Sequence, residues 1–165
     1  MGHTKKALFA RAIRTALALE QVSEMEIVYR RKKPIAELSI ARSSHDMYQI
    51  LSRNWSMQKI NLCEQFKVCL LNRSGRILGI CEISSGGISS TVVEPSFIIG
   101  LAIISAANSI ILSHNHPSGN TQPSDADIDL TKKIKMAAEF FDIKLLDHII
   151  ITDTAYYSFA DSGKL

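Results

Sequence analysis

The chain has 165 residues, 46% of them hydrophobic and 21% charged, with a formal charge of +3. That is room for one domain with a real core and hardly two, and the balance excludes a disordered or fibrous chain. Three cysteines, Cys63, Cys69 and Cys81, form no CxxC pair, which excludes a cysteine zinc knuckle or a disulfide frame and points to a reducing compartment, the cytoplasm.

The first predicted element is a helix over 4–20, with Leu8, Ala12, Ala16 and Leu19 on one face, followed by a strand over 26–30. Residues 1–33 hold eight Lys and Arg against three Glu, a surplus of five positive charges that leaves the remainder with a deficit of two. Such a basic segment suits phosphates or an acidic partner, or a solvated helix and loop. It has no apolar signal-peptide core. Residues 44–54 read as a helix opened by Ser44, with Met47, Ile50 and Leu51 inward. Two apolar runs flank Asn72-Arg73-Ser74-Gly75, a turn composition, so strands 65–71 and 76–83 are expected to form a hairpin. A loop, 84–91, comes next. Pro95 to Ser113 is uncharged. Its polar interruptions at Ser105, Asn108 and Ser109, and the lack of flanking Lys or Arg, favour a buried helix, about 96–108, and a short strand, 110–113, over a membrane span. An amphipathic helix is expected over 124–142, a buried strand over 143–152, and a last short strand in "YYSFAD". Helices and strands interleave, which predicts an α/β domain with one mixed sheet flanked by helices.

Between the short strand and the amphipathic helix stands "SHNHPSGNTQPSDAD", 113–127. If the strand continues, His114 and His116 point to one face and can meet one ion. A loop with Pro117, Gly119 and Pro123 can return the chain so that Asp127 supplies a third ligand. Two His and one carboxylate leave a fourth position open, as in a catalytic zinc site. Ser124-x-x-Asp127 also matches a helix capping box, which explains the Ser and Asp without any metal. The cytosine-deaminase pattern H-x-E with P-C-x-x-C is absent. Farther along, His148 lies in an apolar strand and reads as a satisfied core histidine.

His114-x-His116-Pro117, six residues, then Ser124-x-x-Asp127 resembles the JAMM signature of the JAB/MPN metalloprotease family at every fixed position, and "HNHPSGNTQPSDADI" is most similar to its RadC-like branch. The resemblance extends over about 40–165, which sets residues 1–39 apart as a basic N-terminal segment. It implies the JAB/MPN, cytidine-deaminase-like architecture and one zinc ion on His114, His116 and Asp127. It implies that Ser124 helps hold an oxyanion and that an upstream Glu is the general base. Glu82 is the first choice for that base, because it matches an acidic position after the hairpin and is expected on an apolar stripe with Leu78 and Ile80, where burial raises a carboxylate pKa. Glu94 is the second choice. The branch usually shows Pro-Arg-Glu where this chain has Pro95-Ser96-Phe97, and carries a longer helical extension at its N-terminus. The resemblance implies a zinc-dependent hydrolase of peptide, isopeptide or related amide bonds with a protein or peptide-like substrate. The alternative is a non-catalytic, DNA-associated or scaffold module, in line with the branch's DNA-repair name and the basic segment.

Overall fold

The structure is a computed structural model that describes residue 29 and residues 33–86 and 93–165. The helix expected over 4–20 and nearly all of the strand over 26–30 lie outside the described residues.

Among the described residues five strands make one sheet, in the order β2-β1-β3-β4-β5. They are β1 (Gln65–Leu71), β2 (Ile77–Ser85), β3 (Ser109–Asn115), β4 (Lys144–Ile151) and β5 (Tyr156–Ser158). Only β3 and β4 run parallel; the other pairs are antiparallel. The sheet is therefore mixed, as expected. Helix α1 (Ser44–Arg53) covers one face, and α2 (Pro95–Ile104) and α3 (Asp125–Phe140) cover the other.

Alternation along the strands divides the core in two. Phe66, Val68 and Leu70 of β1 join Ile110 and Leu112 of β3 beneath α2 and α3. Cys69 and Leu71 join Ile111, Ile149 and Ile151 beneath Met47 and Leu51 of α1. Every residue of β1 and of β3 is buried. That is why their centres, 68–71 and 110–112, read as continuous apolar runs.

The hairpin forms about a turn in which Gly75 takes φ +73 and the Asn72 carboxamide accepts from the amides of Ser74 and Arg76. Its ladder slips twice, between Phe66 and Lys67 and between Leu70 and Leu71. Each slip admits an extra residue into β2 and breaks the period of two. The expectation that Leu78, Ile80 and Glu82 share an apolar face fails for this reason. Leu78 packs toward α2 and α3, Ile80 toward α1, and Glu82 is exposed.

Helix boundaries differ from expectation at the C-terminal ends. The helix expected over 96–108 stops at Ile104, and the one expected over 124–142 stops at Phe140. Both close in the same way. Ala106 (φ 53) and Asp142 (φ 56) turn left-handed. The amides of Ala107 and Ile143 then bond back to the carbonyls of Ala102 and Ala138, 2.9 and 3.0 Å away. These are Schellman closures with alanine and aspartate where glycine is usual. Helix α1 is capped by Ser43, one residue before the expected Ser44. Strand β3 is longer than expected and carries His114 and Asn115 inside it. Among the described residues no helix is long and apolar enough to cross a membrane.

Candidate metal centre

The centre forms where β3 ends and α3 begins, at the carboxyl end of the two parallel strands, the usual place for a site in an open α/β sheet. His114 is in register with Phe66 of β1 and Ile150 of β4. Its ring stacks on Phe66, centroids 6.0 Å apart and planes 8° apart. The amide of His116 bonds to the Ile151 carbonyl at 3.1 Å, so the chain stays paired with β4 for one residue beyond β3. It then turns at Gly119 (φ 77), whose amide bonds to the His116 carbonyl. The Asn120 carbonyl comes back to within 2.6 Å of His116 Nδ1. A carbonyl only accepts, so His116 donates from Nδ1, and in the neutral ring Nε2 is a bare lone pair.

The capping box forms, and the aspartate that completes it also reaches the histidines. The capping box is complete: the Asp127 amide bonds to Ser124 Oγ at 3.2 Å, and the Ser124 amide bonds to Asp127 Oδ2 at 2.8 Å. The Ser124 hydroxyl also donates to Oδ2, at 2.6 Å. So held, Asp127 turns Oδ1 to within 3.1 Å of His114 Nε2, and its Oδ2 stands 3.6 Å from His116 Nε2. The two Nε2 atoms are 2.9 Å apart.

Nitrogen and oxygen donors about 2.0–2.1 Å from one tetrahedral ion stand roughly 3.3 Å apart. The two nitrogens, 2.9 Å apart, and Asp127 Oδ1, 3.1 Å from His114 Nε2, come near that value, while the 3.6 Å contact of His116 is to the other oxygen, Oδ2. Two imidazole nitrogens and a carboxylate oxygen are also a donor set that suits zinc. The three residues form a cluster that could hold a metal ion.

Electrostatics agree with a seat for positive charge. Burial alone would push the Asp127 carboxyl up. Hydrogen bonds to His114 and His116, the His114 charge and the Ser124 hydroxyl outweigh it and hold Asp127 well below the usual carboxylate range. His116 is raised, chiefly by its hydrogen bond to Asp127, against the pull of burial, with the Glu64 charge among the contributors.

The cluster opens into a hollow of about 430 Å³. Glu64, Phe66, Val93 and Leu130 form part of its wall, with Ser124 and Asp127 at the helix end. Neither Glu82 nor Glu94 lines it. Glu82 lies opposite Lys67, one residue along from the Phe66–His114 pair, and so on the other face of the sheet. There it accepts from Gln65 Nε2 at 2.8 Å and pairs with Lys67 Nζ at 3.7 Å. Glu94 is exposed at the start of α2, beside Ile83, Ser96 and Phe97. The acidic residue that the fold does bring to the histidines is Glu64, just ahead of β1.

Glu64 was not legible as a site residue. It precedes a strong strand and carries no motif of its own. What fixes it is Asn115, the residue between the two histidines. Asn115 points to the opposite face, is fully buried, and accepts from the Gln65 amide at 2.7 Å. Its Nδ2 donates to the carbonyls of Ile60 and Cys63, at 2.6 and 2.9 Å. The segment that carries Glu64 is therefore bonded to the strand that carries the histidines.

His148 is the satisfied core histidine expected. It is fully buried, stacked on Phe159 at 4.8 Å, and lies 2.8 Å from His114 Nδ1 through its Nε2. Burial, and then the charge of His114, lower it well below the usual imidazole range.

A model of the RadC-like JAB domain matches residues 41–164. A UPF0758 protein of Flavobacterium johnsoniae is 41% identical over 157 residues, which is 93% of this chain and 66% of the relative. A UPF0758 protein of Porphyromonas gingivalis is 46% identical over 103 residues, 62% of this chain and 45% of the relative. One from Trichodesmium erythraeum is 39% identical over 144 residues, 84% and 56% of the two chains. The chain thus spans between about half and two thirds of the length of these relatives. With 41–164 matched end to end and that mixed sheet beneath the His-His-Asp cluster, the chain belongs to the family of RadC-like JAB domains.

Proposed function

We propose that this protein is a zinc-dependent hydrolase of the JAMM type that cleaves a peptide, isopeptide or related amide bond. One observation carries the reading: three donor atoms of His114, His116 and Asp127 converge at the floor of a hollow whose wall holds a further carboxylate, Glu64. Zinc bound by these residues would polarise a carbonyl and make a water nucleophilic near neutral pH. Glu64 is the general base in this reading, in place of Glu82. It takes a proton from the attacking water and returns it to the leaving amine. Ser124 has two claims on it. Its hydroxyl now bonds Asp127 Oδ2, and to support a developing oxyanion it exchanges that bond for one into the hollow. Phe66, Val93 and Leu130 give the substrate chain an apolar wall.

Metal analysis and activity together test the proposal. The purified protein should carry about one zinc, and His114→Ala or Asp127→Ala should abolish it; unchanged zinc in both variants would sink the site. Glu64→Gln should keep zinc and fold and end hydrolysis in a screen of peptide, isopeptide and small amide substrates. Glu82→Gln should leave turnover within about threefold of wild type. Loss of activity in Glu82→Gln alone would reverse the assignment. The basic surplus in residues 1–33 favours a second reading, a DNA-associated module without catalysis. Salt-dependent DNA binding with no hydrolysis of any amide would support it. We place the protein in the cytoplasm, because its three cysteines are free and Cys69 is buried, its thiol pushed up to about 12 by that burial.

A further inference from the structure

The hydrogen bonds behind His114 run in one direction, and Thr131 sets it. Thr131 stands on α3 one turn after Asp127 and is 2% exposed. Its Oγ1 lies 2.5 Å from the Asp127 carbonyl oxygen and 2.6 Å from His148 Nδ1. The carbonyl can only accept, so the hydroxyl hydrogen goes to it. With its one hydrogen committed, Oγ1 can only accept from the histidine, and His148 therefore carries its hydrogen on Nδ1. The opposite nitrogen, Nε2, is then an acceptor, and it faces His114 Nδ1. His114 must donate there. In the neutral ring what remains is a bare Nε2 lone pair, aimed at His116 Nε2 and Asp127 Oδ1.

We infer that Thr131 and His148 are positioning residues that fix His114 in the tautomer whose Nε2 is free for a metal. The inference rests on reading the His-His-Asp cluster as a metal centre. Three features make the relay rigid. His114 and His148 are 5% and 0% exposed, so no water stands in for a missing partner. His148 is stacked on Phe159, planes 15° apart, and meets Phe66 edge-on at 5.6 Å, which stops the ring from turning. The relay starts from the backbone of Asp127, so the helix turn that presents the carboxylate also sets the tautomer of its neighbour. Side chains that hold a metal-ligating imidazole in place in this way commonly change metal affinity 10–100-fold when removed.

The test uses the metal-free, 15N-labelled full chain at about pH 8, where imidazoles are mostly neutral. Long-range 1H–15N spectra read which ring nitrogen carries the hydrogen. Wild type should show His114 and His148 both protonated at Nδ1. Thr131→Val keeps the shape but removes the acceptor. It should mix the His114 tautomers and weaken zinc binding, measured by chelator competition, by about 10–100-fold. Thr131→Ser restores the hydroxyl and should return both readouts to wild type, which a purely packing role for the threonine would not predict. Should Thr131→Val fail to fold, Thr131→Ala takes its place. Zinc affinity and tautomer unchanged in the Val or Ala variant would overturn the relay. So would a wild-type protein that binds zinc with His114 protonated at Nε2, and the metal reading would then survive without the relay. A wild-type protein with the stated tautomers and no zinc affinity would overturn the metal reading and leave the relay standing.

Discussion

Two side chains do more than their types suggest. Asn115 satisfies three backbone groups at once, one amide and two carbonyls. Only a carboxamide of that length offers both an acceptor and two donors there. Asn115→Asp turns a carboxylate onto two carbonyls, and should lower unfolding stability by about 2–4 kcal/mol in denaturant melts. Asp147 is the second case. It is 5% exposed, and its carboxylate accepts from the amides of His148 and Ala160 and from the Ser158 hydroxyl. Burial raises it above the ordinary carboxylate value, against those hydrogen bonds, and nearby Asp161 adds to the rise. A raised folded-state carboxyl favours the native state below the unfolded pKa, and that contribution is lost as pH rises through the folded pKa. Asp147→Asn keeps the acceptor for the two amides. It should therefore flatten the stability–pH curve just above the usual carboxylate range. Unfolding midpoints from pH 4 to pH 8 check this; an unaltered slope would contradict it.

Elements were legible where the period was clean. β1, β3 and α1 stand within about two residues of their expected limits, because an apolar run or a helical stripe marks them. The ends of α2 and α3 were not legible, because glycine usually marks a left-handed closure and neither helix end has one. Ala106 is exposed, so its methyl adds strain and little packing. Ala106→Gly should stabilise the protein by about 1 kcal/mol, read as a higher denaturation midpoint. The bulges in β2 were equally hidden. A slipped ladder leaves no mark on composition, yet it parted Leu78 from the face that Ile80 and Glu82 share. The three metal-ligand candidates were legible, since spacing within one strand and one helix turn sets them. Glu64 was not, since it reaches the histidines only through the pairing of β1 with β3 and the bonds made by Asn115.

At the scale of the whole molecule the site lies at the carboxyl end of β3 and β4. Among the described residues, 34–41 run along the edge of the sheet. The Ile77 amide bonds to the Ser39 carbonyl, and Arg76 Nη1 donates to the carbonyls of Ala36 and Leu38. The family match begins at residue 41. A chain that starts at Lys33 keeps these edge contacts, and we expect it to fold with its zinc affinity unchanged. Any DNA affinity should be lost with the removed charges, and its salt dependence with it. Circular dichroism, zinc competition and DNA binding at two salt concentrations separate these outcomes. A truncated chain that loses zinc would tie the segment to the site.

The alternation of His114, Asn115 and His116 has a consequence for how this domain can vary. Odd and even positions of one short stretch serve opposite sides of the sheet, the candidate metal ligands on one and the anchor for Glu64 on the other. A shift of β3 by a single residue, by insertion, deletion or slippage, would turn both around together. Such a chain would keep nearly all its apolar pattern and turn both histidines away from Asp127. Drift in this strand therefore abolishes the site in one step, and partial forms with the metal cluster but not the carboxylate must arise by substitution and not by change of length.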